Sequence, residues 1–331
     1  MPKRRSFVSR NESSKHAKLD ETEIESYDQK AQAINSKFFL KCPSDFFKFY
    51  QFCCSHSSEA PLDVLFHETG LRLVGPFEVL ADKNSCSEYD CLADYYRYFH
   101  DPPEFVTVLT EDGEHPFHIG YFRDDYTEVP KFLASSNPQE SGKLVIVGGD
   151  IFTAILERLE QKKKEKSNIY QKLMTFVKEN RVTLVKGNSV KRKPTCKTLN
   201  EVGIEIKLRG DLGYRPVNAT NNDLVASLDN ATDAKMPNAA RLDELMTFVQ
   251  FANDEGDYGQ GLELGLDLLA YHPSTKTPDE SFKRASRLNA RINCLLPIGY
   301  QLAGLPKFAE VVRKHMANRS RVKKLRKIDS S

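Results

Sequence analysis

The sequence predicts an α+β protein of two packed domains, each mixing antiparallel strands with helices. Three observations carry that expectation. Apolar residues at Phe46, Phe49, Tyr50 and Cys53, and again at Leu242, Leu245, Met246 and Val249, recur at i, i+3, i+4 and i+7, one face of a helix. Residues 105–109 and 117–122 are apolar runs joined through a Glu111-Asp112-Gly113 turn, the pattern of an antiparallel hairpin. Strands and helices do not alternate in the rhythm of a parallel sheet. With 331 residues the chain is long enough for two domains of ordinary size.

Taken in order, residues 1–33 are polar and charged with few bulky apolar side chains, and are expected to form a disordered basic tail. The N-terminal α+β domain is assigned to 34–165. Pro43-Ser44-Asp45 marks a helix start with a Ser or Asp cap. Residues 71–77 form a short apolar segment, 143–147 a further strand, and 152–159 the start of a helix. The Gly148-Gly149-Asp150 turn between those two lacks both the Lys-Ser/Thr of a P-loop and a full GxGxxG, so a nucleotide site is not expected there. His115 and His118, three apart on a strand, would face opposite sides and do not make a metal pair.

Residues 166–200 read as a charged connecting region. With Lys162-Lys163-Lys164 before it and Lys191-Arg192-Lys193 within it, a solvated helix and a loop are expected from about 160 onward. The C-terminal α+β domain covers 201–319. Ile204, Ile206 and Leu208 alternate with polar residues and predict a strand. A Gly-bounded loop follows at 210–216, and 217–238 is poorly patterned. The helix carrying Leu242 and Val249 ends near Gly256. Leu262, Leu264, Leu266, Leu268 and Leu269 have period-2 character and predict a strand. Helices are expected at 288–302 and 308–316, and a basic tail at 320–331.

Composition excludes several classes. The 48 basic and 46 acidic residues leave a net charge of +2, so the average does not mark a nucleic-acid binder. The excess positive charge sits at the two ends, which tilts localisation toward the nucleus; direct DNA binding is not expected. Seven cysteines, an odd number without a CxxC pair, argue against a secreted disulfide framework and for a reducing compartment. No apolar run reaches the ~18 residues of a membrane span.

The densest chemistry lies at 248–265. Asp254, Glu255 and Asp257 crowd the end of a helix, and Gly256, Gly259, Gly261 and Gly265 follow. A carboxylate at the negative end of a helix costs roughly 0.3–1 kcal/mol, and no Lys or Arg lies within the stretch to offset it. Helix dipole and like charge should both raise a carboxyl pKa, which suits a general base near neutral pH. The plainer reading is solvated acids capping a surface turn. A calcium loop fails on spacing, and the glycines follow a helix rather than a strand, which excludes a dinucleotide fingerprint. There is no Ser-His-Asp order, HExxH or CxxC. From these residues alone Glu255 stays open between solvated acid and general base, and a lone base without its own pocket suits a protein that completes another protein's site.

Residues 248–267, FVQFANDEGDYGQGLELGLD, closely resemble the signature stretch of the histone PARylation factors. Leu73-Val74-Gly75-Pro76, residues 99–105 (FHDPPEF), residues 118–124 (HIGYFRD), Gly213-Tyr214-Arg215 and Ala317-Asn318-Arg319-Ser320 resemble further segments of that family, in order, from about 38 to 320. The resemblance implies an accessory factor that docks on the catalytic domain of a DNA-damage-activated poly(ADP-ribose) polymerase. It implies that the polymerase binds NAD and that this chain binds no cofactor or metal. Glu255 would take the proton from a substrate serine on histones and other proteins. Asp254, Tyr214 and Arg215 would contact the polymerase. Short modifications, and a nuclear location on chromosomes at damage sites, are also implied. Gly256 departs from the Cys often found there in relatives, which should loosen the turn, and 270–278 diverges. A non-catalytic scaffold and a nucleic-acid-binding nuclear protein are the alternatives.

Overall fold

The computed structural model describes residues 21–83, 86, 90–114 and 116–319, with side chains from Tyr27 onward. His115 and the tail 320–331 lie outside the described residues. The fold is α+β, and its strands are concentrated in the first half. Five strands, β1 (Arg72–Leu73), β2 (Phe105–Thr110), β3 (His118–Phe122), β4 (Phe132–Ser136) and β5 (Leu144–Gly148), form one antiparallel sheet in sequence order. The expected hairpin is β2–β3, pairing Phe105 with Phe122 and Thr110 with His118 across a register shift between Thr107 and Leu109.

Every residue of β2, β3 and β4 is buried. A sheet covered on both faces loses the alternation of a half-exposed one. Val106, Val108, Ile119, Tyr121 and Leu133 join one apolar cluster, and Phe105, Phe122, Phe132 and Ala134 another. The first cluster is closed by helices α1 (Glu21–Phe38), α2 (Ser44–His56), α3 (Phe66–Thr69), α4 (Pro76–Leu80), α5 (Ile151–Gln161) and α6 (Asn168–Glu179).

Several expectations for this half need correction. Helix α1 begins at Glu21, inside the stretch expected to be disordered, and buries Ile34 and Phe38. Helix α2 has no side-chain cap; Pro43 stands at the cap position. Asp45 turns inward instead, where its Oδ2 accepts hydrogen bonds from the Ile151 N–H (2.8 Å) and the Tyr121 hydroxyl (2.9 Å). Helix α6 is solvated on one side only, since Ile169, Leu173 and Val177 pack into the first cluster. Asp150 caps α5 through the Thr153 N–H and also accepts from the Val185 N–H, so its carboxylate is committed to structure.

The second half is helical: α7 (Asn221–Thr232), α8 (Ala240–Asp254), α9 (Gly259–Ala270), α10 (Pro278–Ala285), α11 (Asn289–Leu302) and α12 (Pro306–Asn318). Strands were expected here and, among the described residues, the half has only isolated bridges such as Cys196 with Ile204. The run from Leu262 to Leu269 is helix α9, not a strand. It is buried on all sides, so it shows no polar stripe for a helical period to reveal. The supposedly unpatterned 217–238 contains α7, capped by Thr220 and burying Leu224, Leu228 and Ala231 at i, i+4 and i+7.

Polar contacts join the halves. The Tyr300 hydroxyl donates to Glu104 Oε1 (2.5 Å). Buried Arg319 donates to the Phe99 and Leu269 carbonyls, each at 2.9 Å, and Arg192 grips Asp124 in bidentate fashion at 2.7 and 2.8 Å.

Two buried carboxyls, Glu104 among these contacts and Asp267 on α9, link stability to pH. Burial pushes Glu104 up to about 7, against the Tyr300 hydrogen bond that pulls it down. Burial likewise lifts Asp267 to about 8, against the Leu199 N–H that donates to it. Both bind their proton more firmly folded than unfolded. Their contribution is therefore complete below their unfolded values near ~4 and is lost as pH rises through about 7 and about 8. The melting temperature should fall from about pH 5 to about pH 8, and Glu104→Gln, which stays neutral, should flatten that fall. An equal slope in both proteins, measured by thermal denaturation, would reject this assignment.

Candidate functional site

Helix α8 ends in a Schellman cap. The Asp257 N–H donates to the Ala252 carbonyl (2.7 Å) and the Gly256 N–H to the Asn253 carbonyl (3.1 Å). This cap needs a left-handed residue, and Gly256 supplies it at φ 92°. The glycine therefore satisfies the turn without strain, where the sequence suggested a loosened one. Glu255 is the last right-handed residue before it, which leaves its side chain 61% exposed.

The loop 209–217 lies against this turn. Its Gly213 carbonyl accepts from the Gly259 N–H (2.8 Å), and its Gly213 N–H donates to Asp257 Oδ1 (3.0 Å). Gly259 is obligatory for that approach, because a Cβ there would lie 2.7 Å from the Gly213 oxygen. The next residues of the loop are Tyr214 and Arg215. Arg215 reaches back to form ion pairs with Glu255 and, at 3.1 Å, with Asp257. The counter-charge missing from 248–265 thus comes from 40 residues earlier in the chain.

The expected site residues therefore share one surface but differ in state. Glu255 and Arg215 are exposed and paired with each other. Asp254 is exposed and makes no ion pair among the described residues. Tyr214 is half-buried, and its hydroxyl is occupied internally by Glu263 and Cys196. Burial is the main cause that raises its pKa. A groove of 520 Å³ adjoins Glu255, walled by Pro216, Val217, Phe248 and Phe251. Phe251 is 58% exposed, an unusual state for a phenylalanine.

Asp257 and Glu263 hold the site together; the sequence marks Asp257 only as one of the crowded acids and gives Glu263 no role. Asp257 ties the turn to the loop, and Glu263 accepts from the Val217 N–H (2.8 Å). For Glu263 the signal was present: a carboxylate within an otherwise apolar helix needs partners.

A model of the family described as histone PARylation factor 1 matches residues 28–319. The chain belongs to that family. Histone PARylation factor 1 of Mus musculus is 33% identical, over 92% of this chain and 91% of the relative. The Bos taurus protein of the same name is also 33% identical, over 87% and 86%. A Homo sapiens protein named putative histone PARylation factor 1-like is 31% identical, over 86% and 85%. The histone PARylation factor 1 match thus spans both the sheet and the helical half, including the turn that carries Glu255.

The cap and the clamp are separable in stability measurements. Gly256→Ala should cost about 1 kcal/mol through its positive φ, with no clash, since the nearest atom to the new Cβ is Leu212 Cδ1 at 3.8 Å. Asp257→Ala should cost about 1–3 kcal/mol, because it strands the Gly213 N–H. Denaturant titration of both variants checks this; a neutral Asp257→Ala would show that the loop is held by other contacts.

Proposed function

We propose that this chain is an accessory factor that docks on the catalytic domain of a poly(ADP-ribose) polymerase and completes its active site for ADP-ribosylation of serine. The observation that carries the reading is the exposed Glu255 carboxylate, set on a rigid cap beside an open groove with Phe251 at its edge. The relatives' name, a factor in histone PARylation, supports the same direction.

In this reading the polymerase supplies NAD, and this chain binds none. Serine is a weak nucleophile until a base lies within about 2.6–3.2 Å of its hydroxyl. Glu255 accepts that proton as the serine oxygen attacks the ribose anomeric carbon and nicotinamide departs. Glu255 is held beside this path by its ion pair with Arg215. The pair is exposed and so exchanges readily for other partners. Arg215 can turn to a carboxylate of the polymerase, Asp254 adds a free negative charge, and Tyr214 shapes the loop that presents them. Occupation of the polymerase site shortens the chains it makes. Histones are the proposed substrates, and the nucleus, at damaged chromosomes, the proposed location.

Glu255→Ala and Glu255→Gln should each lower serine modification in a reconstituted reaction by ~10²–10⁴-fold while capture of the catalytic domain persists. Full serine modification by either variant rejects the base assignment. Arg215→Ala should leave the melting temperature unchanged and abolish capture; normal capture removes Arg215 from the interface.

A further inference from the structure

A second cavity, of 410 Å³, opens between the sheet half and the helical half on different residues from the Glu255 groove. Its lining is mixed: Ile204, Ile206 and Leu262 give it an apolar side, Tyr258 and Tyr300 add aromatic rings, and charged side chains make up much of the rest. Glu104 also lines it and is 2% exposed. Glu104 Oε1 accepts from Tyr300, but its Oε2 is buried with no hydrogen-bond partner. A buried carboxylate oxygen left unmatched is costly and is rarely tolerated without a role.

The charge of the lining has a direction. Five carboxylates face two lysines. Asp124 is answered by Arg192, and Asp125 by Lys207. Glu205 has Lys131 at 3.7 Å. Exposed Glu128 makes no ion pair among the described residues, and Glu104 makes none either, though it has the Tyr300 hydrogen bond and the charge of Arg123 nearby. An apolar side with one buried and one exposed acidic residue beside it matches an alkyl stem that ends in a positive charge.

We infer that this cavity is a binding site for an alkylammonium cation, its stem against Ile206 and Leu262 and its ammonium group donating to Glu104. The cation can be a free aliphatic amine or the lysine side chain of a bound protein. The inference does not depend on the role proposed for Glu255, because its test measures binding rather than transfer.

The full chain is titrated in two arms, followed by calorimetry and by the chemical shifts of residues lining the cavity. One arm uses 1,4-diaminobutane. The other uses a lysine-containing peptide against the same peptide with norleucine in place of lysine. Saturable binding in the first arm identifies a free amine, and binding of the lysine peptide alone identifies a protein side chain. In either case Glu104→Gln should weaken binding by about tenfold or more, the loss expected for a hydrogen bond to a charged group. Glu128→Gln should weaken it less. Ala303→Leu, which narrows the cavity from a half-buried position, should also reduce binding and covers the case in which Glu104→Gln does not fold. Absence of saturable binding in both arms, or binding indifferent to Glu104→Gln and Ala303→Leu alike, overturns the inference.

Discussion

Helix α9 has no side facing water, and the rest of the helical half is arranged to make that possible. Only Glu263 of its 12 residues escapes full burial. A 12-residue helix is too short to persist alone in water, so its stability comes from the helices packed around it. Helix α11 lies along it through Leu295 and Leu296, α8 through Val249, and the sheet half reaches it where His100 bonds the Leu269 carbonyl (2.8 Å). Its two acids are each answered by backbone donors, Glu263 by Val217 and Asp267 by Leu199. Those bonds also draw in the two loops that lack regular structure, so buried carboxyl groups organise segments that have no strand or helix of their own.

The same helix fixes where Glu255 can be. Four residues separate the end of α8 from the start of α9, and the Schellman cap sets their path. The loop carrying Arg215 is then held against that turn by backbone contacts at Gly213 and Gly259. The acid is therefore presented by rigid elements while its side chain stays in solvent. Such an arrangement favours a group that must be met by a second molecule over one that works inside its own pocket.

Legibility from sequence followed exposure. Helices α2 and α8 each bury one face and kept a helical period that could be read. The β2–β3 hairpin was marked by its turn chemistry even though both of its faces are covered. Helix α9 was misread because total burial erased its period, and the chance alternation of Leu262, Leu264, Leu266 and Leu268 with Glu263, Gly265 and Asp267 imitated a strand. At the site, crowding of Asp254, Glu255 and Asp257 was visible, but the ion pair with Arg215 was not. Patterns within a segment carry no information about a partner 40 residues away. The loop 209–217 was recognised by its glycines, while the contacts that dock it depend on the packing of α9.

Arg319 stands almost at the end of the chain, yet its guanidinium bonds Phe99, Asn289 and the last turn of α9 through Leu269. On a ribosome the sheet half can close long before this residue emerges. The carbonyl that ends the central helix of the helical half, bonded by His100, gains its second partner only from an arginine made some fifty residues later. The last turn of α9 therefore completes its bonding only once residue 319 has been made.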